Sequence, residues 1–411
     1  MGGVQRISKF AKYLPEYNFE PLILTSAITD YYAKDENLYE EIVEKNIKVF
    51  RTSGKDKVIS KGSSVSAGRS EKFRKFLSKA SQVFLSPDTK ILWKKTAIAK
   101  AEEIIVSEKP DIIFATAPPY TDFLIGNYLS LKYSIPLVID YRDAWVDCPY
   151  NFYPTPLHRI YNEKLERKIL INSSAVVTIN EEIKGIILKR YKEIPSEKIR
   201  IISQGYDEED FEKSGIKEKT DGKFRITYSG SFFNFMTPEF FLKGLRKAID
   251  KRPEIESGTE ALFVGIFPPE YNDLIKKLNL ENIVTLKGYV NHKECIEFIK
   301  SSDALWFMIG ESKWSYMIST GKLYEYIGSG KPILACIPEG TAKNLLKQYG
   351  NSLICSPQDV EAISDNIIKL FEQYQTGAIT EGNRDFRKKF SRKKLTSELA
   401  ELLNEILLLP G

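Results

Sequence analysis

At five places in this chain, glycines, polar turns or ionisable side chains stand at the chain start or where an apolar run gives way to a helical period. From such a position a side chain or a backbone N–H can reach a ligand. Gly2-Gly3-Val4 opens a helix expected to run towards Leu14; glycines there let amides approach an anion, which the helix dipole favours. Alone, the fragment reads better as a loose chain end. DIIFATAPPYTDF, residues 111–123, is a strand, a Thr-Ala-Pro-Pro turn and a helix start. VIDYRDAW, residues 138–145, runs a strand into Asp140, Arg142 and Asp143, which an ion-pair network explains as well as catalysis does. YSGSFFNF, residues 228–235, ends a strand in Ser229-Gly230-Ser231 ahead of a helix near Thr237-Pro238, a second place for phosphate-binding amides. GKLYEYIGSGKPILA, residues 321–335, is the most specific: Glu325 lies in the first turns of a helix, where a carboxylate can accept both hydroxyls of a ribose.

The elements that must position these groups form a regular series. Short runs rich in Ile and Val at 21–25, 47–51, 111–115, 136–140, 175–179 and 198–202 read as strands, with helical periods such as 96–107, 121–132 and 181–191 between most of them. The second half repeats the scheme, with strands at 224–228, 261–264, 283–286, 304–308, 332–336 and 352–354. Near-continuous apolar strands separated by helices predict parallel sheets covered on both faces. The fold class is therefore α/β, with two doubly wound, Rossmann-like domains. Residues 1–206 form the first, the charged string 207–222 the linker, 223–384 the second, and 385–411 a closing helix.

With 411 residues, 42% apolar and 28% charged, the chain is neither disordered nor fibrous. No run of 18 apolar residues predicts a membrane-spanning helix. Cys148, Cys295, Cys336 and Cys355 are too dispersed for a disulfide scaffold or zinc site and suggest a reducing, cytoplasmic setting. The two histidines, His158 and His292, are assigned no chemistry. The net charge is +5, yet residues 48–100 hold fourteen Lys/Arg against Asp56, Glu71 and Asp88. So local an excess predicts a localised anionic partner rather than nucleic acid. Residues 71–84 space Phe73, Phe76, Leu77, Ala80, Val83 and Phe84 as an amphipathic helix with basic flanks. It suits packing on its own domain, or an anionic surface at the inner face of a membrane.

In order along the chain, GGVQR, AKYLPEYNFEPLILT, SPDTKILW, DIIFATAPPYT, IPLVIDYRDAW, QGYDEEDF, YSGSF, GKLYEYIGSGKPIL and FSRKKLTSELAELL resemble the retaining nucleotide-sugar glycosyltransferases of the GT-B fold, with a glycosyltransferase 4-like N-terminal domain. The resemblance implies two domains facing a central cleft, no metal, no cofactor beyond the nucleoside diphosphate sugar, and a glycan or lipid-linked acceptor. It matches Glu325 to the ribose-binding glutamate. Thr320, Gly321, Lys322 and Leu323 match the diphosphate loop, and Gly2 and Gly3 the glycine loop. Ser229, Gly230 and Ser231 match the phosphate-side turn, and Gly288, Tyr289 and Val290 the segment beside the base.

Three departures from the family pattern follow. The first of the family's paired glutamates is Met317 here, its catalytic histidine is replaced by Arg142 beside Asp143, and its basic pair is missing, which leaves Lys322 as the nearest cation. Arg142, Asp143 and Lys322 are the catalytic candidates. The buried strand that precedes the family's glycine loop is also missing, which predicts a slit in the first sheet beside residues 21–25 or a start upstream of Met1. Two alternatives are a nucleotide-sugar 2-epimerase on the same fold and a non-catalytic partner subunit.

Overall fold

The computed structural model describes residues 2–26, 36–52, 85–148, 151–217, 222–232 and 235–408. The amphipathic stretch 71–84 and most of the basic segment lie outside them. The chain divides into two compact units, Gly3–Ser203 with Thr396–Gly411, and Gln204–Leu395. No helix of the described residues is long and apolar enough to cross a membrane.

In the first unit β1 (Leu22–Thr25) pairs in parallel with β2 (Lys48–Arg51). A second parallel sheet runs β3 (Ile113–Ala117), β4 (Leu137–Tyr141), β5 (Ala175–Thr178), β6 (Ile199–Ile201). Among the described residues no ladder joins β1 to β3, so the first sheet is interrupted beside β1, where the slit was expected. β4 is buried along its whole length, whereas β1 is half-buried throughout and β3 at Ile113, Phe114 and Thr116. Side chains hold the two sheets side by side: Leu24 and Ile113 pack on one cluster of Trp93, Ala97, Ala101, Ile125 and Leu129.

The helix Gly2–Tyr13 is tied to β4 by charge. The Arg6 guanidinium is fully buried and donates to both carboxylate oxygens of Asp140, at 3.1 and 2.8 Å. It also donates to the carbonyls of Ser203 and Ile202 at 2.6 and 2.9 Å, and Thr116 Oγ1 donates to Asp140 at 2.8 Å. Of the three ionisable groups in VIDYRDAW, Asp140 is therefore structural.

The second unit is one six-stranded parallel sheet of β7 (Phe224–Ser229), β8 (Thr259–Val264), β9 (Val284–Gly288), β10 (Ala304–Met308), β11 (Ile333–Cys336) and β12 (Ser352–Cys355). The order is β12-β11-β10-β7-β8-β9, so the chain starts at the centre, runs out one side and returns to run out the other. The loops after β7 and β10 diverge at that reversal, where a doubly wound sheet binds its ligand. The inner strands β7, β8, β10 and β11 are buried between two clusters, one around Tyr228, Phe241, Phe263 and Trp306 and the other around Phe307, Leu323, Tyr324 and Tyr326, while the edge strand β9 is mostly exposed.

Three details differ from the sequence expectation. The charged string after Asp207 is partly a helix, Glu208–Lys213: Asp207 caps it, acids fill its first turn and Lys213 its last, as the helix dipole favours. The closing helix is two, Arg384–Lys388 and Arg392–Leu407. The chain opens between them because Tyr206 N–H donates to the Phe390 carbonyl at 3.0 Å and Arg392 N–H to the Tyr206 carbonyl at 2.8 Å. Cys336 and Cys355, dispersed in sequence, are register partners on β11 and β12 with their thiol sulfurs 3.8 Å apart.

Removing one member of the Arg6–Asp140 pair leaves the other charge buried. Arg6→Met should cost about 3–5 kcal/mol, and the double change Arg6→Met with Asp140→Leu markedly less than twice that. Denaturant midpoints check this; strictly additive losses would contradict it.

Candidate functional site

In the second unit, β7 ends at the reversal point in Ser229-Gly230-Ser231. Gly230 has φ +123, a conformation that favours glycine, and an added Cβ would lie 2.7 Å from Lys322 Nζ and push that ammonium aside. The amides of this turn are largely committed: Ser229 N–H donates to the Tyr326 hydroxyl at 2.7 Å and Gly230 N–H to the Val264 carbonyl at 2.7 Å. Ser231 is half-buried. The Ser229 and Gly230 amides are thus engaged within the protein, and Tyr326 locks the end of β7 to the neighbouring helix.

That helix, Gly321–Ser329, begins at Thr320, whose Oγ1 is buried with no hydrogen-bond partner. Its first N–H groups have no intrahelical partner, and the space beside Gly321 is open. Leu323 N–H closes back on the Thr320 carbonyl at 3.0 Å, and its side chain is core. Lys322 Nζ sits 3.7 Å from the centre of the Tyr228 ring. Burial pushes this ammonium down to about 7, against the opposing pull of Cys295 and Glu325. An unsatisfied hydroxyl, open helical amides and a lysine poised to gain a proton together suit an anion such as a diphosphate.

Glu325, one turn further along, is hydrogen-bonded through Oε1 to His292 Nε2 at 3.0 Å. His292 had been given no chemistry, since a single histidine after Asn291 carries no spacing signal. Gly288, at φ +77, accepts from Gly265 N–H at 2.8 Å, Tyr289 is half exposed, and Val290 packs on Leu262, Val264 and Phe298. Met317, which stands where the family has a glutamate, is buried.

In the first unit, the Arg142 guanidinium occupies the space that a side chain at Gly3 would need. Arg142 donates to the Pro118 carbonyl, while its Nε is buried without a hydrogen-bond partner. Burial lowers it from the ordinary guanidinium value, with Asp140 and Asp143 opposing. Burial raises Asp143 to about 6, with Arg142 opposing. Asp122, at the start of the Thr121–Tyr133 helix, was missed as an individual residue. Burial, reinforced by Asp88, raises it to about 8 although Arg142 opposes, and its Oδ1 has no hydrogen-bond partner. Gly3, Arg142, Asp143 and Asp122 thus gather where β3 and β4 end, with two carboxyls able to exchange protons near neutrality.

Two family models match the chain: Glycosyltransferase Family 4 over residues 58–210 and Glycosyl transferases group 1 over residues 223–373. Among curated proteins there is no sequence match. Solved structures share the fold. Anabaena HepE in complex with UDP superposes with a TM-score of 0.63 at 15% identity, over 98% of this chain and 96% of that one. UDP-GlcNAc 2-epimerase from Neisseria meningitidis bound to UDP-GlcNAc gives 0.59 at 13%, over 98% and 97%. The lipopolysaccharide outer core galactosyltransferase WaaB gives 0.53 at 12%, over 93% and 99%.

The raised Asp122 value predicts a pH signature. A carboxyl that ionises less readily in the folded state destabilises it progressively as pH rises through its unfolded and folded values. Asp122→Asn should raise the melting temperature at pH 9 and leave it nearly unchanged at pH 4. An equal shift at both pH values would contradict the assignment.

Proposed function

Because the chain belongs to the glycosyltransferases built from a family 4 domain and a group 1 domain in the GT-B fold, and so moves a sugar from a nucleotide donor, we propose how its residues divide that work. The second unit holds the nucleoside diphosphate sugar. Glu325 receives the ribose hydroxyls, the amides at Thr320, Gly321 and Lys322 receive the diphosphate beside Leu323, and Gly288, Tyr289 and Val290 lie along the base. Lys322 carries the reading. Held near neutrality by burial, it takes up a proton when the diphosphate arrives and stabilises the charge that grows on the leaving group. In this reading helix dipole and ammonium do the work that a divalent ion does elsewhere, and transfer is retaining and metal-independent.

On the acceptor side we assign Arg142 and Asp143, with Asp122 beside them, to the acceptor hydroxyl. A guanidinium can hold it as a hydrogen-bond donor, and a carboxyl that ionises at about 6 can accept its proton at neutral pH. Gly2 and Gly3 keep side chains out of the same region. The acceptor in this reading is a glycan or lipid-linked saccharide of cell-surface polysaccharide synthesis. Residues 48–100 meet an anionic membrane from the cytoplasmic side. Some of that charge is already paired, Lys48 with Glu108 and Lys100 with Glu103, each at 2.6 Å.

Release of nucleoside diphosphate from a nucleotide sugar, dependent on added acceptor extract, tests the transferase reading. Interconversion of UDP-GlcNAc and its 2-epimer without acceptor would favour the epimerase instead. Glu325→Ala should weaken nucleoside diphosphate binding in calorimetry without moving the melting curve of the free protein. For Lys322, calorimetry in buffers of differing ionisation enthalpy should show little proton uptake on diphosphate binding at pH 6, rising towards one proton at pH 8. Lys322→Met should abolish that uptake; unchanged uptake would remove Lys322 from the role.

A further inference from the structure

The imidazole of His292 lies between two carboxylates, with Nε2 3.0 Å from Glu325 Oε1 and Nδ1 3.7 Å from Asp210 Oδ2. The three residues come from three helices, Glu208–Lys213, His292–Ser301 and Gly321–Ser329. Each keeps only 14–15% of its side-chain exposure. The arrangement is built in from both sides. Asn291 caps the His292 helix by accepting Glu294 N–H at 2.8 Å. Lys300, on the same helix, donates to the Phe211 carbonyl at 2.6 Å and so fastens the helix that carries Asp210. Among the other charges nearby, Glu294 is neutralised by Lys217 at 3.5 Å, and Lys322 lies on the Glu325 helix.

The terminal torsion of a glutamate is broad, so a carboxylate with no anchored oxygen turns through many orientations. With Oε1 tied to a ring nitrogen, the plane of Glu325 is set and Oε2 is presented in one direction. We propose that His292 is a positioning residue for donor recognition: it fixes the Glu325 carboxylate to receive the vicinal hydroxyls of a nucleotide ribose, and Asp210 steadies the ring from its other edge. The proposal rests on the reading of Glu325 as the ribose acceptor. A doubly protonated ring donates to Glu325 and attracts the Asp210 carboxylate at 3.7 Å by charge, and a neutral ring with its proton on Nε2 still serves Glu325.

Calorimetry on the full chain tests it, with UDP, GDP and ADP and their 2′-deoxy counterparts as probes. Replacing His292 by Leu should weaken the preferred ribonucleotide by about tenfold, the scale of one charge-assisted hydrogen bond. The 2′-deoxy form should lose less, so that discrimination between the two narrows. His292→Gln, whose amide N–H can reach the same oxygen, should restore most of both. In turnover, the Leu variant should raise KM for the donor more than it lowers kcat. Unaltered ribonucleotide affinity in the Leu variant, or equal loss for both sugars without rescue by Gln, overturns the proposal. If Glu325→Ala weakens binding while the Leu variant does not, only the role of His292 fails. If Glu325→Ala binds normally, or the unaltered protein binds none of the three nucleotides, the ribose reading fails with it.

Discussion

The buried pair of Arg6 and Asp140 is the interaction on which the first unit turns. Two unit charges taken wholly out of water are costly unless every donor and acceptor is matched. Here the guanidinium meets both carboxylate oxygens and two carbonyls, and Thr116 supplies a further bond. The cluster joins the first helix to β3, β4 and the chain just after β6, and two consequences follow along the backbone. Three residues before Arg6 stands Gly3, and two residues after Asp140 stands Arg142, whose guanidinium fills the space that Gly3 leaves. Fixing one charge pair thus also fixes the contact that aims the candidate catalytic arginine. Because no ladder among the described residues joins the two short sheets, such side-chain ties carry more of the unit's cohesion there than they would in a continuous sheet.

The second unit reaches a similar end by different means. Its sheet is continuous, and the reversal of strand order between β7 and β10 makes the ligand position a matter of topology. What the side chains add is charge control. The Tyr326 hydroxyl binds the end of β7, Gly230 clears room for Lys322, and the Tyr228 ring faces the ammonium while burial discourages its charge. A lysine held by burial at about 7 gains charge readily when an anion comes near. Glu325 is likewise constrained, since the histidine hydrogen-bonded to it is itself held between two acids.

The two family models make this chain a glycosyltransferase, and its departures from the family pattern acquire physical content. Arg142 in place of a histidine cannot act as a neutral base, but Asp143 and Asp122, both raised by burial, put carboxyls that ionise at about 6 and 8 within the same group. Met317 is core, so no carboxylate is available at that point.

The amino-acid sequence by itself determined the strands of the described residues, because parallel strands at the centre of a sheet must be near-continuous apolar runs and such runs are visible without coordinates. It also determined the order of the loops that bear Gly3, Arg142, Ser229, Lys322 and Glu325, since helix starts after strands carry glycines and polar residues in recognisable places. Only the tertiary structure decided what those residues meet. Asp140 and Arg142 are two residues apart, yet one is locked to Arg6 134 positions away and the other is not. His292 and Glu325 are 33 residues apart, and Cys336 and Cys355 are 19 apart, with nothing in their spacing to mark them as partners. Periodicity is a local property that the backbone imposes, whereas the charge state and partner of a side chain depend on desolvation and distance. Those are set only when remote segments pack against one another.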